Sequence, residues 1–285
     1  MQHSIPLMAE KYETRPDQSV ELLKHLHILT RDGRLNQDSR RKLKQVRHLL
    51  QFITPLVEAA RQRNADVQLV DIGAGKSCLG FLLYDEVFSK LGDGAAVTGV
   101  ENRSELVAQS RRLAERCGFE RMRFFAIDAA AADAVLDAAG LPARIDIVTA
   151  LHACDVATDD AIRFALQREA AAIVVAPCCQ AEVAAVLRRR KAASLADPLA
   201  ELWRHPLHTR EFGSHITNVL RCLQLQAHGY AVQVTELVGW EHSLKNELII
   251  AKRENRPGRS AGQRLTALLQ RLGLDELQPR FFLPQ

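Results

Sequence analysis

The stretch VQLVDIGAGKSCLGFLL, Val67 to Leu83, constrains this chain more than any other. Val67 to Ile72 is a mostly apolar run carrying a carboxylate at Asp71, and Gly73 and Gly75 close it before an apolar-periodic segment led by Ser77. That order predicts a buried strand, a tight glycine turn and a helix N-terminus. Glycines are wanted there because the backbone must turn with positive φ and leave room for a ligand against bare peptide. A nucleotide-like cofactor is the expected ligand.

Three cofactor classes compete for such a turn. A phosphate-binding loop needs G-x-x-x-x-G-K-[ST]; Gly75, Lys76 and Ser77 supply its tail, but the required first glycine falls on Val70, inside the strand. ATP and GTP are rejected on that ground. A dinucleotide fingerprint needs G-x-G-x-x-G, yet the third position is Cys78 and the next glycine, Gly80, comes too late, which weakens NAD without excluding it. The remaining reading is the D-x-G-x-G turn of class I S-adenosylmethionine (SAM) methyltransferases. SAM has an amino acid end and no phosphate, so Asp71 suits this cationic ligand and would repel a diphosphate.

The chain of 285 residues, 47% of them hydrophobic, can bury a large core. No apolar run reaches the length of a membrane span, and the first residues lack a signal-peptide pattern, so a cytoplasmic protein without membrane contact is expected. The six cysteines (78, 117, 154, 178, 179 and 222) form no disulfide framework, and reduced thiols are expected. A formal net charge of +4 is compatible with RNA as partner. Arg31, Arg34, Arg40, Arg41, Lys42, Lys44 and Arg47 cluster before the glycine turn, and Arg188 to Lys191 form a second run. Each run reads either as a solvated helix face or as a phosphate-contacting surface.

Residues 1–66 read as a helical N-terminal extension, with a helix near Val20 to Leu29 and a long amphipathic one capped by Ser39. Strand and helix patterns then alternate. Strands are expected at Ala95 to Glu101, Met122 to Asp128, Ile145 to Ala153 and Ala171 to Cys179, with helices at Ser104 to Cys117, near Asp133 to Ala139 and from Ala157 to about Glu169. Apolar strands followed by amphipathic helices specify a parallel sheet covered on both faces. After a helix over roughly Thr217 to His228, strands Tyr230 to Val238 and Glu247 to Glu254 stand too close for a crossover helix and should pair antiparallel. The fold class expected is α/β, a Rossmann-like class I methyltransferase fold with a mostly parallel seven-stranded sheet ending in an antiparallel hairpin. The domain would span residues 67–255, and 256–285 would be a helical tail.

Ligands of open α/β sheets sit outside the carboxyl ends of the strands. Glu101, closing the second strand, can accept both ribose hydroxyls; Asp128, closing the third, can accept the adenine amino group, and either acid can instead cap a helix. Leu151 ends the fourth strand beside the cofactor. His152, Cys154, Asp155, Cys178 and Cys179 would converge on the methyl-donor side. Their spacing is a poor zinc pattern, so no metal is expected. His152 suits a general base, or a structural histidine bonded to backbone. Cys178 and Cys179 suit a thiolate nucleophile for methylation at carbon 5 of a pyrimidine, or small buried residues. Trp240 to Asn246, WEHSLKN, reads as a substrate wall or merely a turn.

The combination LHACDVATDDAI, APCCQ and EHSLKN resembles a branch of class I methyltransferases. That branch includes methyltransferase-like protein 25, the glutathione S-transferase C-terminal-domain-containing protein and the acceptor-stem tRNA 2′-O-methyltransferase. Its His-x-Cys-Gly-x-Ala-Thr-Asp element is matched by His152, Cys154, Ala157, Thr158 and Asp159, and its Cys-Cys pair by Cys178 and Cys179. The similarity covers about residues 39–254. Asp155 stands where the branch has glycine, adding a carboxylate beside the methyl site. The resemblance implies SAM as cofactor and RNA, tRNA or rRNA, as acceptor. Removal of the acceptor's proton is expected of His152 and Asp155, read from the residues themselves. A methyltransferase of proteins or small molecules, and a non-catalytic module of the same fold, stay open as alternatives.

Overall fold

The structure is a computed structural model, and it describes residues 18–151, 153, 156–177, 181–190, 198–237, 247–254 and 258–284. Two helices come first, α1 (Val20–His25) and α2 (Gln37–Arg61). The sheet then starts with β1 (Gln68–Ile72), followed by α3 (Cys78–Glu86), β2 (Ala96–Glu101), α4 (Ser104–Cys117), β3 (Met122–Ala126) and α5 (Ala132–Ala138). The second half runs β4 (Ile147–Ala150), α6 (Val156–Gln167), β5 (Ala172–Val175), α7 (Glu182–Arg190), α8 (Pro206–Ala227), β6 (Tyr230–Glu236), β7 (Glu247–Arg253) and α9 (Arg259–Leu272). Among the described residues no helix is long and apolar enough to cross a membrane.

The strands form one seven-stranded sheet in the order β3-β2-β1-β4-β5-β7-β6. All neighbours are parallel except at β7, which runs antiparallel to both β5 and β6. The expected fold and hairpin pairing are therefore those observed. The chain builds outward from β1 in one direction, then returns to add β4 on its other side. That switch opens a crevice at the carboxyl ends of β1 and β4, where ligands of such sheets sit.

Side chains alternate across the pleat and split the core. Leu69, Val97, Ile147 and Val174 join α2, α3 and α4 on one face. Val70, Val100, Val148 and Ile173 meet α5, α6 and α8 on the other. The helices of the extension thus share a core with the sheet, since Leu43, Leu50, Ile53 and Val57 of α2 are buried in the first cluster.

Two expectations need correction. Helix α2 starts at Gln37 with Asn36 as cap, whose side chain accepts from the Ser39 N–H at 2.8 Å. Ser39 is buried inside the first turn and its hydroxyl instead donates to the His27 carbonyl at 3.2 Å. Helix α8 begins at Pro206, far ahead of the expected Thr217. Its first two turns bury Thr209 and Gly213 and leave Leu207 exposed, and an apolar face begins only with Phe212 and Ile216. A Cβ on Gly213 would lie 2.8 Å from Ala184 of α7, so small residues let the two helices approach closely, and the first turns carry no hydrophobic stripe to read. The Arg188 and Arg189 run is the exposed face of α7, whose Val183, Val186 and Leu187 are buried.

Candidate functional site

The crevice is shaped by the turn between β1 and α3. Gly73 and Gly75 have φ of 68° and 57°, a region L-residues avoid. A side chain at Gly73 would also place its Cβ 3.1 Å from the backbone of Ala153. The turn is hooked over β2 by the Ala74 N–H, which donates to the Val100 carbonyl at 2.9 Å. Ser77 adopts a left-handed φ of 51° ahead of α3, and its buried hydroxyl makes no capping bond.

Two carboxylates face this turn from the same side of the sheet. Asp71 lies opposite Gly99 on β2 and Thr149 on β4. It is buried, and the Thr149 hydroxyl donates to its Oδ1 at 2.7 Å. Burial pushes its pKa up to about 7; the Thr149 bond opposes that rise and the nearby Glu101 charge adds to it. Glu101 ends β2 and shows the opposite balance. Burial alone would raise it, but hydrogen bonds from Arg103 and from the Gly75 N–H outweigh that and hold it below the usual carboxylate range. Its Oε2 accepts from Gly75 N–H at 2.8 Å, and its Oε1 from the Arg103 N–H at 3.1 Å and Nε at 2.7 Å. One acid is thus poised to ionise on meeting a cation, while the other stays charged and partly free to accept hydroxyls.

The remaining site residues fall in three groups. Asp128 lies beyond the end of β3, exposed, and its Oδ1 accepts from the Ala130 N–H at 3.0 Å as a cap. Leu151 is buried directly after β4. His152, Asp155, Cys178 and Cys179, with Cys154 and the Trp240 to Asn246 segment, lie outside the described residues.

Several described residues near the ends of β4 and β7 were missed by sequence reasoning. The Thr158 hydroxyl donates to the Ala153 carbonyl at 2.5 Å, holding the residue that packs on Gly73. The next residue, Asp159, takes a bidentate pair from Arg221 of α8 at 2.7 and 2.8 Å, with Arg221 fully buried. Arg221 also donates to Asn218 at 3.2 Å, and Asn218 donates to Glu247 at the start of β7 at 2.8 Å. Thr149 and Arg103 were missed too. Their signal was positional, one on the strand beside Asp71 and the other two residues past Glu101. Among the described residues no cluster of His, Cys, Asp and Glu could hold a metal ion.

The donor set suits a ligand with an ammonium group and a sugar diol, since the turn presents two carboxylates rather than a nest for a diphosphate. Residues 41–186, half of the chain, match the family model described as a methyltransferase domain. The chain belongs to this methyltransferase family. No curated protein sequence matches it. Among solved structures it is similar to Aeropyrum pernix fibrillarin with natively bound S-adenosyl-L-methionine, at 12% identity over 65% of this chain and 66% of that one, TM-score 0.39. A Streptococcus thermophilus rRNA methylase is similar at 13% identity over 66% and 87%, TM-score 0.39. The Geobacter metallireducens precorrin-6y C5,15-methyltransferase is similar at 16% over 66% and 81%, TM-score 0.40.

Proposed function

We propose that this methyltransferase uses SAM and transfers the methyl group to RNA. The observation that carries the cofactor reading is the pair of carboxylates on one sheet face. Asp71 is buried with its pKa pushed up to about 7, and Glu101 is pinned by the Gly75 N–H and Arg103. Asp71 would take the ammonium of the methionine end, and Glu101 the ribose hydroxyls, displacing the half-exposed Arg103 side chain from Oε1. Asp128 would meet the adenine edge while capping its own turn, and Leu151 would pack beside it.

SAM supplies an electrophilic methyl group on a sulfonium, so the protein's tasks are to orient the acceptor in line and to remove its proton. His152 directly follows the buried Leu151 in the chain, Asp155 comes three residues later, and these are the bases assigned to that proton. Cys178 and Cys179 follow β5, the neighbour of β4, and would serve if the acceptor is a pyrimidine carbon. RNA as acceptor is supported by the resemblance of the fourth and fifth strand ends and by the basic N-terminal helices.

Calorimetric titration with SAM on wild type, Asp71→Ala and Glu101→Ala tests the cofactor. Binding by the wild type that both variants lose supports the site. No binding by the wild type rejects it. Tritiated methyl incorporation in a cell extract, with and without RNase, then tests the acceptor: label that survives RNase turns the reading to protein.

A further inference from the structure

Two clefts on the N-terminal helices meet at the same pair of histidines. The larger, about 1000 Å³, is lined by Lys24, His25, His27, Arg31 and Arg116 among others. The smaller, about 130 Å³, is lined again by His25 and His27, together with Lys76 of the glycine turn and Gln109 of α4. They form one path from the exposed face of α1 to the residue beside Gly75. Backbone geometry fixes the bend in that path. His27 sits at φ 54°, which costs an L-residue about 1 kcal/mol or more. The Ser39 hydroxyl on its carbonyl and the Ile28 N–H on the Leu23 carbonyl, at 2.8 Å, hold it there.

The charge is one-sided. Residues 18–61 carry nine Lys and Arg against four Asp and Glu, a surplus larger than the +4 of the whole chain. Glu21, the acid lining the larger cleft, is bound by Arg116 at 2.9 and 2.5 Å. Lys24, Arg31 and Lys76 have no ion-pair partner among the described residues. A small neutral substrate would call for an enclosed, mostly apolar pocket, whereas successive cations along an open groove fit a chain of phosphates.

We infer that this path is the docking track for the phosphodiester backbone of the acceptor RNA. Lys24 and Arg31 neutralise phosphates, His25 and His27 line the bend, and Lys76 receives the strand at the cofactor turn. The inference rests on the RNA reading above and adds the surface that delivers the strand.

The test is fluorescence anisotropy of a labelled single-stranded RNA over a salt series, with wild type, Lys24→Glu/Arg31→Glu, the milder Lys24→Gln/Arg31→Gln, and Arg264→Glu/Arg271→Glu on α9 as a charge-matched control. Two lost phosphate contacts should lower the log–log salt slope by roughly 1.4 and weaken binding about tenfold or more at 0.1 M salt, with a smaller loss for the glutamine variant. The control should stay within about twofold of wild type by the same reasoning, and SAM affinity, which reports an intact fold, should be unchanged in every variant. RNA binding that the Lys24/Arg31 variants keep, or that the control loses equally, overturns this track and leaves the RNA acceptor standing. A wild type that binds no RNA overturns both, and equal binding of a polyglutamate peptide assigns the face to an acidic protein instead.

Discussion

The two halves of the sheet hold their functional edge by different means. On the β1 to β3 side the positions are set by backbone: glycines at positive φ, and the N–H groups of Gly75 and Arg103 on Glu101. On the β4 to β7 side they are set by side chains reaching across the chain. Asp159 meets Arg221 over 62 residues of sequence, and Asn218 meets Glu247 over 29. The first arrangement needs only β1, its turn and β2, and joins Gly75 to Glu101 over 26 residues of chain. The second depends on α6, α8 and β7 all being in place.

Substitutions can break that contrast. The largest effect is expected for Asp159→Ala, which strands a fully buried Arg221 and should cost about 3 to 5 kcal/mol in denaturant unfolding. Replacing both partners by apolar residues, Asp159→Leu with Arg221→Met, should recover most of it. If the single variant unfolds like wild type, the far half does not hang on this pair.

Next comes Asp71→Asn, with the opposite sign. The folded pKa of about 7 lies above the ordinary 3.8, so the folded state holds the proton more tightly. Stability is then full below about pH 4, falls as pH rises to 7 and stays low above it. The asparagine variant should flatten that slope and gain as much as about 4 kcal/mol above pH 7. It should also remove a pH dependence of SAM binding, in which wild-type affinity drops about tenfold per pH unit below the Asp71 pKa. Calorimetry between pH 6 and 8 checks both parts.

Gly73→Ala follows, at about 2 kcal/mol, because the left-handed backbone and the Ala153 contact both resist a Cβ. SAM binding should go with it. The smallest effect is expected for Gly118→Ala, which ends α4 at the same φ of 68° with nothing within 4 Å of the added carbon. About 1 kcal/mol and no change in SAM affinity would show that Gly73 matters through its neighbours as well as its φ.

The same contrast explains how much could be read from sequence. The β1 turn, helix Ser104–Cys117 and the strand alternation follow from local periodicity and punctuation, and the structure places them as expected. The acids Asp71 and Glu101 were legible for the same reason, one just before the glycine turn and the other closing the next strand. Arg221 was not, because a lone arginine inside an amphipathic helix gives no sign that its partner is Asp159. The first turns of α8 were hidden by Thr209 and Gly213, which satisfy close packing without looking apolar. Asn36 and Ser39 are both good caps, and only the fold assigns one to the helix end and the other to His27.

The position of β7 also bears on how the chain comes off the ribosome. Its residues 247–253 lie between β5 and β6, so every strand that precedes them in the chain is made before the sheet can close. Until then β5 offers an unsatisfied edge, and β6 has no neighbour to join. The β1 to β3 half can dock early during vectorial synthesis, whereas the Asp159–Arg221 half must wait for β7, leaving the nascent protein a transient sticky edge. Folding of this half is therefore the step at which chaperone help should matter most.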